Sequence, residues 1–241
     1  MSYLFNAANE RMTGTLTSTY AATCTLALYL KTANHPAAAS CIMQLGASSS
    51  AVADSLALRT TATDNQWGAR YTDPAASADT ASRTQNVDTT WAPLVATFPS
   101  ASSRIIRVAD YANSGSASAA RTASDDVMKY LRIGETLAAA EDLGAAGTFY
   151  IAEVAIWNAI LSQTDIESYM AGTAASSIAA ANLIGYWPLN ASNATQSNLG
   201  VDAGGDLSVT GATYDADHPT ITTSGPIAAF ARGSNIILKG Y

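Results

Sequence analysis

The sequence predicts an all-β domain, a sandwich or barrel of short antiparallel strands, with one helix appended. Apolar residues recur with period two in segment after segment. Short loops rich in Gly, Ser, Ala and Asn part those segments. A helix cap followed by an apolar stripe at helical spacing stands out once. Of the 241 residues, 48% are hydrophobic and only 13% charged, so the chain can bury a core and lacks the composition of disorder. None of the loops reads as a domain linker, and residues 1–241 are expected to form one domain.

The first clear strand is Cys24 to Leu30. Cys24, Leu26, Leu28 and Leu30 fall on one face and Thr25, Ala27 and Tyr29 on the other, which predicts a single buried face. Asn34-His35-Pro36 breaks the pattern, and Ser40 to Leu45 reads as the return strand of a hairpin. Ser55 to Thr60 repeats the alternation with Leu56 and Leu58 inward. Further strands are expected at Arg104 to Ala109, Val127 to Ile133 and Thr148 to Trp157. Loops are expected at Gly46 to Ala53, Asp73 to Ser82 and Ala112 to Ser124. The helix follows. Ser162 is a natural N-cap with Asp165 as its capping-box partner, and Leu161 and Ile166 form a hydrophobic staple. Tyr169 and Met170 extend the stripe, and Gly172 can end the helix.

Charge narrows the function classes. Lys and Arg number 12 against 19 Asp and Glu, a net charge of −7 with no basic run. That balance lacks the electrostatic footprint of a nucleic-acid binder and offers no hold on an anionic membrane. No stretch approaches the roughly 20 apolar residues of a membrane span. Met1 to Arg11 lacks the basic-then-apolar order of a secretory signal. Cys24 and Cys41 are read as free buried thiols, a single bridge between them being the alternative. Synthesis in a reducing cytosol fits, so the acceptor matches at Asn190 and Asn193 are read as chance. Both histidines, His35 and His218, precede proline and mark turns. The sequence contains no His-x-x-x-His, Cys-x-x-Cys, Gly-x-Ser-x-Gly or Gly-x-x-x-x-Gly-Lys pattern, and therefore no motif for zinc, redox, serine-nucleophile or phosphate-loop chemistry.

One segment carries a family resemblance. Gly147-Thr-Phe-Tyr-Ile-Ala-Glu-Val-Ala-Ile-Trp-Asn158, followed by Ala159-Ile-Leu-Ser-Gln-Thr-Asp-Ile-Glu167, resembles the laminin-G-like, or concanavalin A-like lectin/glucanase, jelly roll. Glu153, Trp157 and Asn158 match the family strand, and Leu161, Ser162 and Ile166 its short helix. Tyr130-Leu-Arg-Ile-Gly134 resembles the family's strand before this signature, and Leu183-Ile-Gly-Tyr-Trp-Pro-Leu189, the Asp202 to Gly211 segment and Asp217-His-Pro219 resemble the ending of versions carried by tailed bacteriophages. The match extends over about residues 85 to 220. It implies a two-sheet antiparallel jelly-roll sandwich with one short helix. It implies little about function, because such a fold hosts binding modules, enzymes and virion proteins alike.

Hydrolysis is the sharpest enzymatic idea for such a fold and needs two carboxylates. The glucanase branch supplies them as Glu-x-Asp-x-x-Glu on one strand, and here Glu153 stands alone between Ala152 and Val154. Glu153 is therefore read as a structural carboxylate that receives hydrogen bonds, and no enzymatic activity is expected. No cofactor is expected either. The resemblance does allow one structural calcium ion, with Asp110, or Asp202 and Asp206, as ligands, against solvated acidic turns. Trp67, Tyr71 and Tyr111 are candidate sugar-stacking residues. The favoured alternative is that Trp67 and Tyr71 alternate on a strand with a half-buried aromatic side. Trp91, Trp157 and Trp187 are assigned to the core.

The leading functional expectation is a non-enzymatic structural protein of a bacteriophage particle, made in the host cytoplasm. It would decorate the capsid, or form part of a fibre or tail, by binding the major capsid protein or other virion proteins. The alternative is a lectin-like module for host-surface glycans. Residues 224–241 are expected to form either an arm or the last strand. As an arm, Phe230, Ile236, Ile237 and Leu238 would provide apolar contacts for a homo-oligomer or a larger lattice.

Overall fold

In the computed structural model the described residues are 2–21, 23–33, 38–49, 54–72, 78–100, 102–118, 128–137, 141–202 and 204–222. In chain order they form β1 (Ser2–Phe5), β2 (Arg11–Tyr20), β3 (Cys24–Thr32), β4 (Cys41–Gly46), β5 (Ser55–Thr60) and β6 (Gln66–Thr72). Next come β7 (Ala78–Thr84), β8 (Ala92–Ser100), β9 (Ser103–Val108), β10 (Asp110–Ala117) and β11 (Met128–Ile133). The rest are α1 (Leu143–Ala146), β12 (Phe149–Trp157), α2 (Gln163–Met170), β13 (Leu183–Trp187), β14 (Thr195–Gln196), β15 (Leu207–Thr210) and β16 (Thr213–Asp215).

The strands make two antiparallel sheets of eight. Sheet A runs β10-β9-β8-β3-β12-β1-β16, with β13 also paired to β12. Sheet B runs β14-β15-β2-β11-β4-β5-β6-β7. Leu26, Leu28, Leu30, Leu94, Ile151 and Ile156 of sheet A meet Met12, Met43, Leu45, Leu58, Trp67 and Ile133 of sheet B in the core between them. The result is the predicted two-sheet sandwich.

Two sequence expectations need correction. The segments at Cys24 and Ser40 are not a hairpin: β3 pairs with β8 and β12, whereas β4 pairs with β5 and β11. Period-two alternation fixes which face turns inward but not which strand lies alongside. Both strands point Leu or Met into the shared core from opposite sheets. Secondly, β3 is buried on both faces. Ala27 and Tyr29 join Ala152, Ala155 and Trp157 in a second core on the outside of sheet A, closed by Ile166 and Tyr169 of α2.

The helix forms as its sequence dictates. Ser162 Oγ accepts from the Asp165 N–H at 3.2 Å while the Asp165 carboxylate accepts from the Ser162 N–H at 3.3 Å. Gly172, at φ +94°, lets the chain turn off after the C-cap. Small alanines beneath the helix let it pack close to sheet A. The loops expected at residues 73–82 and 112–124 are in part edge strands, β7 and β10. Edge strands bury little, so their small polar residues carry no alternation strong enough to reveal them.

Candidate functional site

The outward face of sheet B follows from the inward one. On β5, Leu56 and Leu58 enter the core, which turns Arg59 outward; on β6, Trp67, Ala69 and Tyr71 enter, which turns Gln66, Gly68 and Arg70 outward. Register then assembles the site. Arg59 lies opposite Gly68, Gly68 opposite Ser82, and Arg70 opposite Thr80. Because Gly68 has no side chain, the sheet face dips between its neighbours; a Cβ there would stand 2.6 Å from Thr80 Cγ2. The dip opens into a pocket of about 330 Å3 lined by Arg59, Arg70, Thr61, Gln66, Thr80 and Ser82, with Ala39 and Ala62 at its margin.

Its electrostatics rest on two guanidinium groups and one described carboxylate. Arg59 Nη2 and Arg70 Nη1 both donate to the same Glu141 oxygen, at 3.0 and 3.5 Å. Arg59 is buried and also donates from Nε to the Thr60 carbonyl. Arg70 Nε is buried without a hydrogen-bond partner. Desolvation, and then the neighbouring Arg59 charge, pull the Arg70 pKa below its ordinary value against the opposing Glu141. Thr61 donates to Gln66 Oε1 at 2.7 Å, fixing the rim. Such a pocket can bind polar oxygens, and charged ones best.

The same face carries more cations. Arg132 of β11 bonds Glu135 at 3.2 Å and the Thr136 carbonyl, and Arg11 of β2 approaches Glu135 at 3.7 Å. A second depression of about 350 Å3 lies there, lined by Thr13, Thr15, Tyr130, Arg132, Asp206 and Ser208 among others.

The sugar-stacking candidates fare differently. Trp67 and Tyr71 are buried in the intersheet core, at 0% and 1% exposure, and cannot stack on a ligand. Burial follows from their inward parity on β6, with Trp67 Nε1 donating to the Gln85 carbonyl. Tyr111 stays half-buried on the opposite side of the molecule, its ring 4.4 Å below the Arg107 guanidinium. Trp157 and Trp187 are core as expected, but Trp91 is only partly buried. It lies near Lys31 and donates from Nε1 to Asp217 at 3.3 Å. Phe230, Ile236, Ile237 and Leu238 lie outside the described residues.

The acidic candidates for calcium serve as hydrogen-bond acceptors within the fold. Asp110 accepts from the backbone and side chain of Asn113, and Asp206 accepts from the Asn198 N–H. Asp202 accepts from the N–H groups of Thr17, Ser18 and Gly204 and from the Tyr20 hydroxyl. Among the described residues no group of three His, Cys, Asp or Glu could hold a metal ion. Cys24 and Cys41 are free and buried, and burial pushes both thiols up.

Glu153 is buried beneath α2. It occupies a bulge of β12 at φ +54°, where its carboxylate accepts from the Tyr186 hydroxyl at 2.6 Å. His218 Nε2 stands 3.1 Å from the other oxygen, too poorly aligned for a hydrogen bond. Tyr169 donates to the Glu153 carbonyl and Tyr29 to the Tyr169 carbonyl. Burial, then the charges of nearby groups that include Glu153, raises the pKa of all three tyrosines. The carboxylate thus ties the bulge of β12 to Tyr186 of β13, the backbone carbonyl of Glu153 ties it to α2, and His218 of the 213–222 segment lies beside the second carboxylate oxygen.

No protein-family model matches the chain, and no curated protein matches it. Solved structures do. The binding domain of botulinum neurotoxin serotype D superposes with a TM-score of 0.54 at 12% identity, over 70% of this chain and 41% of that one. A heptameric SAP-like pentraxin of Limulus polyphemus gives 0.49 at 8% identity over 70% and 81%. A Ruminococcus gnavus sialidase CBM40, bound to α2,3 sialyllactose, gives 0.46 at 11% over 69% and 97%. The chain spans about two fifths of the toxin domain. The likeness to the toxin domain is one of fold alone, a two-sheet jelly-roll sandwich.

Proposed function

We propose that the chain is a non-catalytic, lectin-like module that binds a saccharide at the outer face of sheet B. The observation that supports this reading is the open pocket of Arg59 and Arg70, rimmed by Thr61, Gln66, Thr80 and Ser82. Its one described carboxylate, Glu141, is tied to both arginines, whereas glycoside hydrolysis needs a free pair. The serotype D toxin structure of like fold is itself a binding domain, in keeping with this reading. A glycan array tests it: the chain should retain a discrete set of glycans and release no shortened products. Turnover that disappears in Glu153→Gln would overturn it.

A second reading sets this module on a bacteriophage particle, as a capsid decoration, fibre or tail protein contacting other virion proteins. Beyond the sequence resemblance, one geometric observation favours it. Thr222 pairs with Thr173 and donates to the Gly172 carbonyl at the end of α2. Thr222, the last described residue, therefore lies on the covered side of the sandwich, away from the pocket. Deleting the residues after Ser224 should leave glycan binding intact and abolish assembly. A truncated chain that folds and still assembles sinks the arm, and one that unfolds makes the segment a core strand.

A further inference from the structure

We infer that the Arg59–Arg70 pocket selects saccharides carrying an oxyanion, a carboxylate or a sulfate, and takes up neutral ones poorly. This rests on the lectin-like reading and names its ligand class. The first ground is what the pocket lacks. Carbohydrate sites commonly gain much of their energy from an aromatic ring beneath the sugar face. None of the described lining residues is aromatic, and the two rings beside the site, Trp67 and Tyr71, point into the core. Polar contacts must then supply the binding energy.

Among those contacts charge dominates. Thr61, Thr80, Ser82 and Gln66 offer neutral hydrogen bonds of about 1 kcal/mol each, which water can match. The guanidiniums offer charge-assisted, fork-shaped donors suited to carboxylate and sulfate. They outnumber the local acid two to one and converge on a single Glu141 oxygen. One positive charge is thus left at the pocket by its own described residues. Arg70 Nε, buried and without a hydrogen-bond partner, is a donor whose desolvation no bond offsets. About a quarter of the Arg70 side chain is exposed, and it is this outer part of the guanidinium that an oxyanion would meet, adding acceptor charge beside the desolvated Nε.

The surrounding field sharpens the expectation. The whole chain carries −7, so a polyanion is repelled at long range and attracted only where the guanidiniums are. Binding should therefore be local, dependent on Arg70 and weakened by salt.

Affinity electrophoresis separates the claims. The full chain is run through gels containing polygalacturonate (carboxylate), dextran sulfate (sulfate), or dextran and pullulan (neutral). Retardation by at least one anionic polymer, at least tenfold stronger than by the neutral pair, is expected. Arg70→Gln should reduce it about tenfold, and Glu141→Gln should strengthen it by removing the negative charge that opposes an incoming anion. The wild-type chain gives an independent readout: the Arg70 Nε–Hε resonance should shift on adding the retained polymer's oligosaccharide. Equal retardation by neutral polymers, unchanged in Arg70→Gln, overturns the anion selectivity and leaves the lectin-like reading standing. Anionic retardation that Arg70→Gln leaves intact, with a static Arg70 resonance, also overturns it. No retardation by any of these polymers overturns it too, and an array on which no glycan binds removes the lectin-like reading as well.

Discussion

Replacing Asp202 by Asn should cost about 2 kcal/mol at neutral pH and nearly nothing in strong acid. In the native protein Oδ1 accepts from the N–H groups of Thr17 and Gly204, at 3.0 and 3.1 Å, and Oδ2 accepts from Ser18 N–H and Tyr20 O–H, at 2.9 and 2.8 Å. The residue is 5% exposed. Asparagine can keep its oxygen toward Thr17 and Gly204, but then presents an amide N–H2 to the Ser18 N–H. The tyrosine hydroxyl can rotate to accept; the backbone donor cannot. One charge-assisted bond is lost outright, worth about 1.5–3 kcal/mol, and proximity to solvent favours the lower part of that range. Burial by itself raises the carboxyl pKa, but the bonds from Ser18, Tyr20 and Thr17 outweigh it and hold the group below its ordinary value. A folded pKa depressed below the unfolded value of about 3.9 stabilises fully above that pH. That stabilisation disappears as pH falls through the folded pKa. The gap between wild type and Asp202→Asn should therefore close with acid, while losses from other carboxylates cancel in the difference. Urea unfolding followed by tryptophan fluorescence at pH 7, 4 and 2.5 measures this. A gap under about 0.5 kcal/mol at pH 7, or one that does not change with pH, would refute the reasoning.

Ser162→Ala removes the hydroxyl half of the capping box and should cost about 1 kcal/mol in urea unfolding; an unchanged midpoint would show that tertiary packing alone sets the helix start. Gly115→Ala places a Cβ 1.8 Å from the Ser82 carbonyl oxygen, where β10 of sheet A meets β7 of sheet B. Backbone cannot rotate aside, so the two edges must part at a cost of about 3 kcal/mol, and wild-type stability in that variant would count against the contact.

The elements legible in the sequence are those whose packing writes a pattern. Leu26, Leu28 and Leu30, Leu56 and Leu58, and the Ser162–Asp165 cap each report a local requirement, and each element formed where expected. Partner choice left no such mark: Cys24 to Leu30 and Ser40 to Leu45 alternate just as a hairpin would, yet lie in different sheets. β7 and β10 were hidden because edge strands need few apolar residues. The candidate site was the least legible part. Trp67 and Tyr71 drew notice by residue type and turned out to be core. Arg59 and Arg70, 11 positions apart in the chain, meet only through the β5–β6 register. Their one visible signal was outward parity, next to Leu58 and Ala69.

Where ligand can bind follows from which sheet face the chain covers with itself. Sheet A turns small residues outward, Ala27, Ala152 and Ala155, and a helix with a matching stripe folds down on them. The polar groups buried there, Glu153 and its tyrosines, are consumed in tying β12 to β13 and α2. Sheet B turns outward Arg11, Arg132, Arg59 and Arg70, with Thr and Ser between them. An apolar stripe settling on such a surface would bury the exposed parts of Arg11 and Arg70 and their ion pairs with Glu135 and Glu141, and desolvating charged pairs is costly. The face that α2 does not cover is the one that carries the Arg59–Arg70 pocket, where the saccharide site is proposed. Arg11, Arg59, Arg70 and Arg132 of an acidic chain lie on it, with Glu135 and Glu141 among them. That local excess of cations, against the sign of the whole molecule, is what the proposed anion-seeking site requires.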